Sequence, residues 1–181
     1  MFSMREVIEA LDEATRGLEV TVAVGVGTHQ SMMCRHFTWD YPKRVLLTSC
    51  GHGTMGSALP YAIGAQIAQP ERLVLCVTGD GCWEMERVHL NSCYRYDLPI
   101  KVLVLDNGKA GIVHQFESLN GIRHVATEWE QYPTEDEMPY SGLSMNWLFD
   151  ERTVDVVRYA VSDVGVWPIL EGGRDRMTEG P

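Results

Sequence analysis

Two apolar runs constrain this chain most: Leu73 to Thr78 (LVLCVT) and Ile100 to Leu105 (IKVLVL). Neither alternates regularly between apolar and polar residues. A strand with apolar residues on both faces is covered on both sides, as in a parallel sheet flanked by helices. The segment between the runs, Cys82 to Pro99, is long enough for one crossover helix, read over Trp83 to Tyr96. Ser3-Met4-Arg5-Glu6 reads as a capping box. Val7, Ile8, Leu11 and Ala14 give the helix that follows one apolar face, and Gly17 ends it. Leu18 to Val24 and Val45 to Thr48 read as further strands, and Gln30 to Phe37 and Ala58 to Ala68 as helices. Thr153 to Tyr159 reads as a last strand. This alternation predicts an α/β fold with a mainly parallel sheet and helices on both faces. It is read as a single domain over residues 1–181, with an irregular, shortened C-terminal part from about 122. Thr127 to Asn146 has little periodicity and reads as loop.

Each of the two runs ends in a polar cluster, Gly79-Asp80-Gly81 and Asp106-Asn107-Gly108. Either cluster alone reads as a turn. Together they fall at the carboxyl ends of successive strands, where open α/β sheets place their ligands. The carboxylate of Asp80 and the amide oxygen of Asn107 are hard ligands that suit Mg²⁺ or Ca²⁺, and Mg²⁺ commonly shares its shell with phosphates. Gly81 and Cys82 would open the crossover helix, where free backbone amides and the helix dipole favour an anion. The pattern predicts a diphosphate bridged to the protein by a divalent metal.

A formal net charge of −10 argues against nucleic acid as a partner. Much of the acidity lies in Glu128 to Glu137, read as a solvated loop. The five cysteines form no C-x-x-C pair, so neither a disulfide framework nor a zinc site is expected, and a reducing cytoplasm fits best. The N-terminal stretch reads as neither a signal peptide nor a membrane span.

The spacing of Gly-Asp-Gly to Asn107 resembles the thiamine diphosphate binding motif. The wider runs TSCGHGTMGSALPYAIGAQIAQPERLVLCVTGDG and YDLPIKVLVLDNGKAGIVHQF, with VGTHQ near the N-terminus, resemble the C-terminal thiamine diphosphate domain of acetolactate synthases. The likeness covers about Met4 to Gly121, with a weaker echo at VWPILEGG. It implies the pyrophosphate-type domain of the thiamine diphosphate-binding fold. It also implies that Asp80, Asn107 and the Lys109 carbonyl bind the metal. Gly27, Thr28, His29 and the amides of Gly81 and Cys82 would hold the diphosphate. Met55 would support the bent cofactor, the Gly53 carbonyl would accept from its aminopyrimidine, and Ile112 and Val113 would line the thiazolium side. Judged alone, Met55 reads as core filler, His29 as a capping or surface histidine, and Ile112 and Val113 as helix core.

Several positions depart from the family pattern. Cys50 and His52 replace small or apolar residues, and His52 would lie near the thiazolium as an acid/base or substrate-recognising group, with a structural role the alternative. Phe116 stands where the family places a Trp that selects the second 2-keto acid. His89 replaces a Glu. Cys82 replaces a Ser or Ala, a change expected to be mild because the backbone does the binding there. The stretch from about Gln131 to Asp150 is shorter than in the family. The activating Glu of the family belongs to a separate pyrimidine-binding domain. Glu6, Glu9 and Glu13 read as the solvated face of the first helix, and Glu84 and Glu86 as exposed on the crossover helix. The resemblance therefore implies the pyrophosphate-binding subunit of a split enzyme, an α2β2-type hetero-oligomer acting on a 2-keto acid. Its activity would be acetolactate-synthase-like carboligation. A 2-keto-acid decarboxylase of the sulfopyruvate decarboxylase type, or a non-catalytic fragment or degenerate paralogue, are the alternatives.

Overall fold

A computed structural model describes residues 2–128 and 155–161. The capping box forms as expected: Ser3 accepts the Glu6 amide, and the Glu6 carboxylate accepts from the Ser3 amide at 2.7 Å. It opens α1 (Met4–Ala14). β1 (Val20–Val24), α2 (Thr28–His36), β2 (Arg44–Thr48), α3 (Ala58–Ala68) and β3 (Leu73–Gly79) follow. The crossover after β3 is not one helix. It runs as α4 (Asp80–Glu86), a 3-10 turn (Arg87–His89) and α5 (Leu90–Arg95). The tight turn buries none of its side chains. β4 (Lys101–Asp106), α6 (Gly111–Leu119) and β5 (Asp155–Ala160) complete the described elements.

The five strands pair in the order β2-β1-β3-β4-β5, and every pairing is parallel. Along β3 the faces separate cleanly. Leu75 and Val77 join the core formed with α1 and α2, while Val74 and Cys76 join the core formed with α3 and Trp83 of α4. That division is why the run shows no polar face: each side of the pleat is buried, and each fully buried aliphatic side chain contributes roughly 1.5–3 kcal/mol. A buried ion pair, Asp12 to Arg44 at 2.9 Å, ties α1 to β2. The strand order reverses at β1, which has β2 on one side and β3 on the other. The carboxyl ends of β1 and β3 therefore flank a crevice at the switch point.

The final strand falls close to its expected place. Most of Thr127 to Asn146, the short stretch from about Gln131 to Asp150, and the VWPILEGG echo lie outside the described residues. Residues 122–128 fold back beside α6: His124 stacks on His114 with centroids 3.8 Å apart, and the Ala110 amide donates to the Thr127 carbonyl at 2.9 Å. Glu128 is exposed, as expected, but it accepts from Lys109 Nζ at 2.7 Å and pairs with His114 Nε2 at 2.8 Å. Lys109 hydrogen-bonds of this kind hold the Glu128 carboxyl below its usual range.

Candidate cofactor site

A cleft of about 210 Å³ opens at the switch point. From the turn after β1 come Gly27, Thr28 and His29. The turn before α3 supplies Gly53 and Met55, and the β3–α4 junction supplies Asp80, Gly81 and Cys82. The β4–α6 turn supplies Asn107 and Lys109, and α6 supplies Ile112 and Val113. Four separated stretches thus converge on one space. His52 and Phe116 are not among the lining residues; both are solvent-exposed. Gly53, beside His52, does line the wall. Phe116 lies one turn beyond Ile112 on the same side of α6.

His29 is the most constrained of the lining residues. It is 5% exposed, which excludes a surface histidine. Its ring occupies a notch made by three glycines. A Cβ on Gly25 would lie 2.9 Å from its Nε2, one on Gly27 2.7 Å from its Cε1, and one on Gly79 2.8 Å from its Nδ1. Each is closer than real Cβ contacts allow, so the ring fits only because these positions lack side chains. Burial lowers the His29 pKa to about 4, against a weaker raising pull from the Gly25 backbone. The imidazole is thus neutral near pH 7. That pull falls short of hydrogen-bond geometry, since Nε2 has no partner, and the buried Thr28 hydroxyl has none either. Buried polar atoms without partners are costly.

The chain between β4 and α6 is shaped by its own side chains. Asp106 Oδ1 accepts from the Gly108 amide at 2.9 Å, and Asn107 Oδ1 accepts from the Lys109 amide at 3.2 Å. Gly108 has φ +65°, a left-handed turn that favours glycine. Asp80 is 5% exposed in the first turn of α4. Among the described residues, no group of three or more His, Cys, Asp or Glu side chains could hold a metal ion. A cation between Asp80 and Asn107 would therefore need oxygens from a ligand to complete its shell.

Met55, Ile112 and Val113 are 41%, 42% and 49% exposed, so none is core. They form an apolar rim on the cleft. The sequence reading missed two contributors. The Cys82 thiol donates to the Val26 carbonyl at 3.1 Å and ties the start of α4 to the turn after β1, a side-chain role beyond the amide contact expected of it. Glu86, expected to be exposed, is fully buried, whereas Glu84 is exposed.

The match to known proteins follows the same residues. The family model of the thiamine pyrophosphate enzymes, C-terminal TPP binding domain, matches residues 25–160.

The chain belongs to that family.

It is similar to the mitochondrial acetolactate synthase catalytic subunit of Saccharomyces cerevisiae, at 45% identity over 103 residues, 57% of this chain and 15% of that protein. The acetolactate synthase of Mycobacterium leprae is 42% identical over 113 residues, 62% of this chain and 18% of that protein. The isozyme 2 large subunit of Escherichia coli acetolactate synthase is 40% identical over 101 residues, 56% of this chain and 18% of that protein. The chain thus spans less than a fifth of the length of these relatives. As a member of this family it carries a thiamine diphosphate-binding domain, and its cleft suits that group. Asp80 and Asn107 supply hard oxygens for a metal beside a diphosphate, and the Gly81 and Cys82 amides lie at the start of α4 on the same wall. Among the described residues, no helix is long and apolar enough to cross a membrane.

Proposed function

We propose that this chain is the pyrophosphate- and Mg²⁺-binding part of a thiamine diphosphate enzyme that decarboxylates a 2-keto acid and transfers the acyl unit to a carbonyl acceptor. The observation that carries this reading is the meeting of Asp80 and Asn107 with the unpartnered Thr28 and His29 atoms at one switch point. Asp80, Asn107 and the Lys109 carbonyl would hold Mg²⁺. Gly27, Thr28, His29 and the Gly81 and Cys82 amides would take the diphosphate. Met55 would support the cofactor's middle, the Gly53 carbonyl its aminopyrimidine, and Ile112 and Val113 would exclude water from its reactive side. When bound, thiamine diphosphate supplies the electron sink that decarboxylation needs.

Among the described residues no glutamate lines the cleft. We assign the activating Glu to a separate pyrimidine-binding subunit, in an α2β2-type hetero-oligomer whose contact would cover the apolar rim. We place the chain in a reducing, cytoplasmic setting, because its five cysteines form no C-x-x-C pair. The purified chain alone is expected to turn over no 2-keto acid, and the chain co-purified with its partner to convert at least one member of a keto-acid panel. Robust turnover by the single chain would refute the split arrangement.

Simple decarboxylation, as in enzymes of the sulfopyruvate decarboxylase type, is a second reading, favoured by one observation. Phe116 is 59% exposed beyond Ile112, where the family pattern has a larger ring beside the acceptor. Phe116→Trp in the assembled enzyme is expected to change the ratio of coupled product to free aldehyde by about threefold or more, since one pocket contact is worth about 1 kcal/mol or more. Product analysis by chromatography checks this, and an unchanged ratio removes Phe116 from acceptor choice.

A further inference from the structure

Glu86 has no part in the reading above, yet it is 0% exposed, the most deeply buried acidic residue among those described. It closes α4, and its Oε2 accepts the Leu59 amide at 2.9 Å. Leu59 lies in the first turn of α3. Ser57, just before that helix, gives it no side-chain cap; its hydroxyl donates instead to the Thr54 carbonyl at 2.9 Å. Glu86 therefore does from a distance what a capping residue does locally. It brings negative charge to free amides at the positive end of a helix. Burial pushes its carboxyl above the ordinary range, while the Thr78 hydroxyl and the Leu59 and Ala58 amides pull it back. The Thr78 contact lacks full hydrogen-bond geometry, and Oε1 is left without a partner.

The N-terminus of α3 carries the turn that holds Met55. Two further side chains of α4 press on that turn. A Cβ on Gly56, which has φ +69°, would lie 2.8 Å from Met85 Cβ. The Cys82 thiol, raised by burial and pulled back by the Gly56 backbone, is fixed to the Val26 carbonyl on the other side.

We infer that Glu86 is a positioning residue: from α4 it fixes the start of α3 and so holds the Met55 turn at the cleft. Its effect on cofactor binding rests on the cofactor roles proposed above. Those roles give the diphosphate to Gly27, Thr28, His29, Gly81 and Cys82, none of them on the Met55 turn. Loosening the turn then weakens the grip on the organic part of thiamine diphosphate and spares the grip on its diphosphate.

The test compares wild type, Glu86→Gln and Glu86→Ala in the full chain assembled with its partner. Amide hydrogen exchange is followed at Met55, Gly56 and Leu59 without ligand. Calorimetry then measures affinity for thiamine diphosphate and for inorganic diphosphate, each with Mg²⁺. In Glu86→Gln, exchange at these amides is expected to rise about tenfold and thiamine diphosphate affinity to fall about tenfold, with inorganic diphosphate affinity changed less than about twofold. The amides of β3 and β4 keep their protection. Unchanged exchange at Leu59 and Met55 overturns the inference. So do equal losses for both ligands, which mark a general structural role. If Glu86→Ala does not fold, the Gln variant decides. A wild-type complex that binds neither ligand instead overturns the cofactor roles, and the functional half of the inference falls with them.

Discussion

Asp80→Ala is expected to abolish Mg²⁺-dependent thiamine diphosphate binding in the assembled enzyme. Asp80 is buried at the β3–α4 junction, and it shares the cleft with Asn107 from the β4–α6 turn. It supplies the only carboxylate among the described residues lining the cleft. A divalent cation next to a diphosphate needs that charge, because the amide oxygen of Asn107 and a backbone carbonyl are neutral donors. Substitutions that only reorient a metal ligand cost about 10–100-fold in affinity, so removing a ligand outright is expected to cost about 100-fold or more. Calorimetry over a Mg²⁺ series, with the unfolding midpoint as a control for folding, gives the comparison. Asp80→Asn, which keeps an oxygen and loses the charge, is expected to fall between wild type and Asp80→Ala. Equal affinity and equal metal dependence for wild type and Asp80→Ala would remove Asp80 from the metal site.

The parts of this molecule that were legible in sequence are those set by local pattern. β3 and β4 announce themselves because both faces of each strand are buried, and Ser3 and Glu6 announce α1 because their capping contacts span three residues. The Asp80 and Asn107 ends followed from the strands, and the likeness of a long continuous run to one family supplied the remaining cleft residues. Contacts between distant segments were not legible. Glu86 sits two residues from the exposed Glu84, and nothing in its neighbourhood shows that its carboxylate meets an amide 27 residues earlier. His52, exposed and not among the residues lining the cleft, was less legible for the complementary reason: proximity to Gly53 in sequence does not set which way a side chain leaves an exposed turn. His29 was placed by resemblance, but its enclosure by Gly25, Gly27 and Gly79 needs the parallel pairing of β1 with β3, which no local pattern encodes.

That enclosure makes His29 the source of a large expected pH effect. Its folded pKa is about 4, against 6.5 for an unperturbed histidine, because burial disfavours the charged ring. The unfolded chain therefore binds more protons than the folded one between these values. The contribution of neutral His29 is fully present above pH 6.5 and is lost as pH falls toward 4, for a total of about 3 kcal/mol. Other groups titrate in this range. Glu6, Glu117 and Glu128 have lowered values and lose stability in the same direction on acidification. Glu86, raised by burial, has the opposite sign: its contribution is present at low pH and is lost as pH rises through its folded value. Comparing wild type with His29→Gln cancels all four. Urea unfolding across this pH window is expected to show the wild type losing about 3 kcal/mol more than the variant on acidification. Parallel curves would mean that His29 titrates normally and that the glycine notch does not desolvate it. Gly79→Ala tests the notch from the other side. Its Cβ would meet His29 Nδ1 at 2.8 Å, so the ring must leave the notch or strain the β3–α4 junction. Overpacking of this kind costs about 1–3 kcal/mol at neutral pH. If the ring leaves, it regains solvent, and the acid-dependent loss that wild type shows should shrink in Gly79→Ala toward that of His29→Gln. A displaced ring would also disturb the cleft wall that His29 forms, so thiamine diphosphate affinity should fall in the same variant. Loss of stability with the wild-type pH profile retained would instead place the strain in the strand junction and leave His29 where it is.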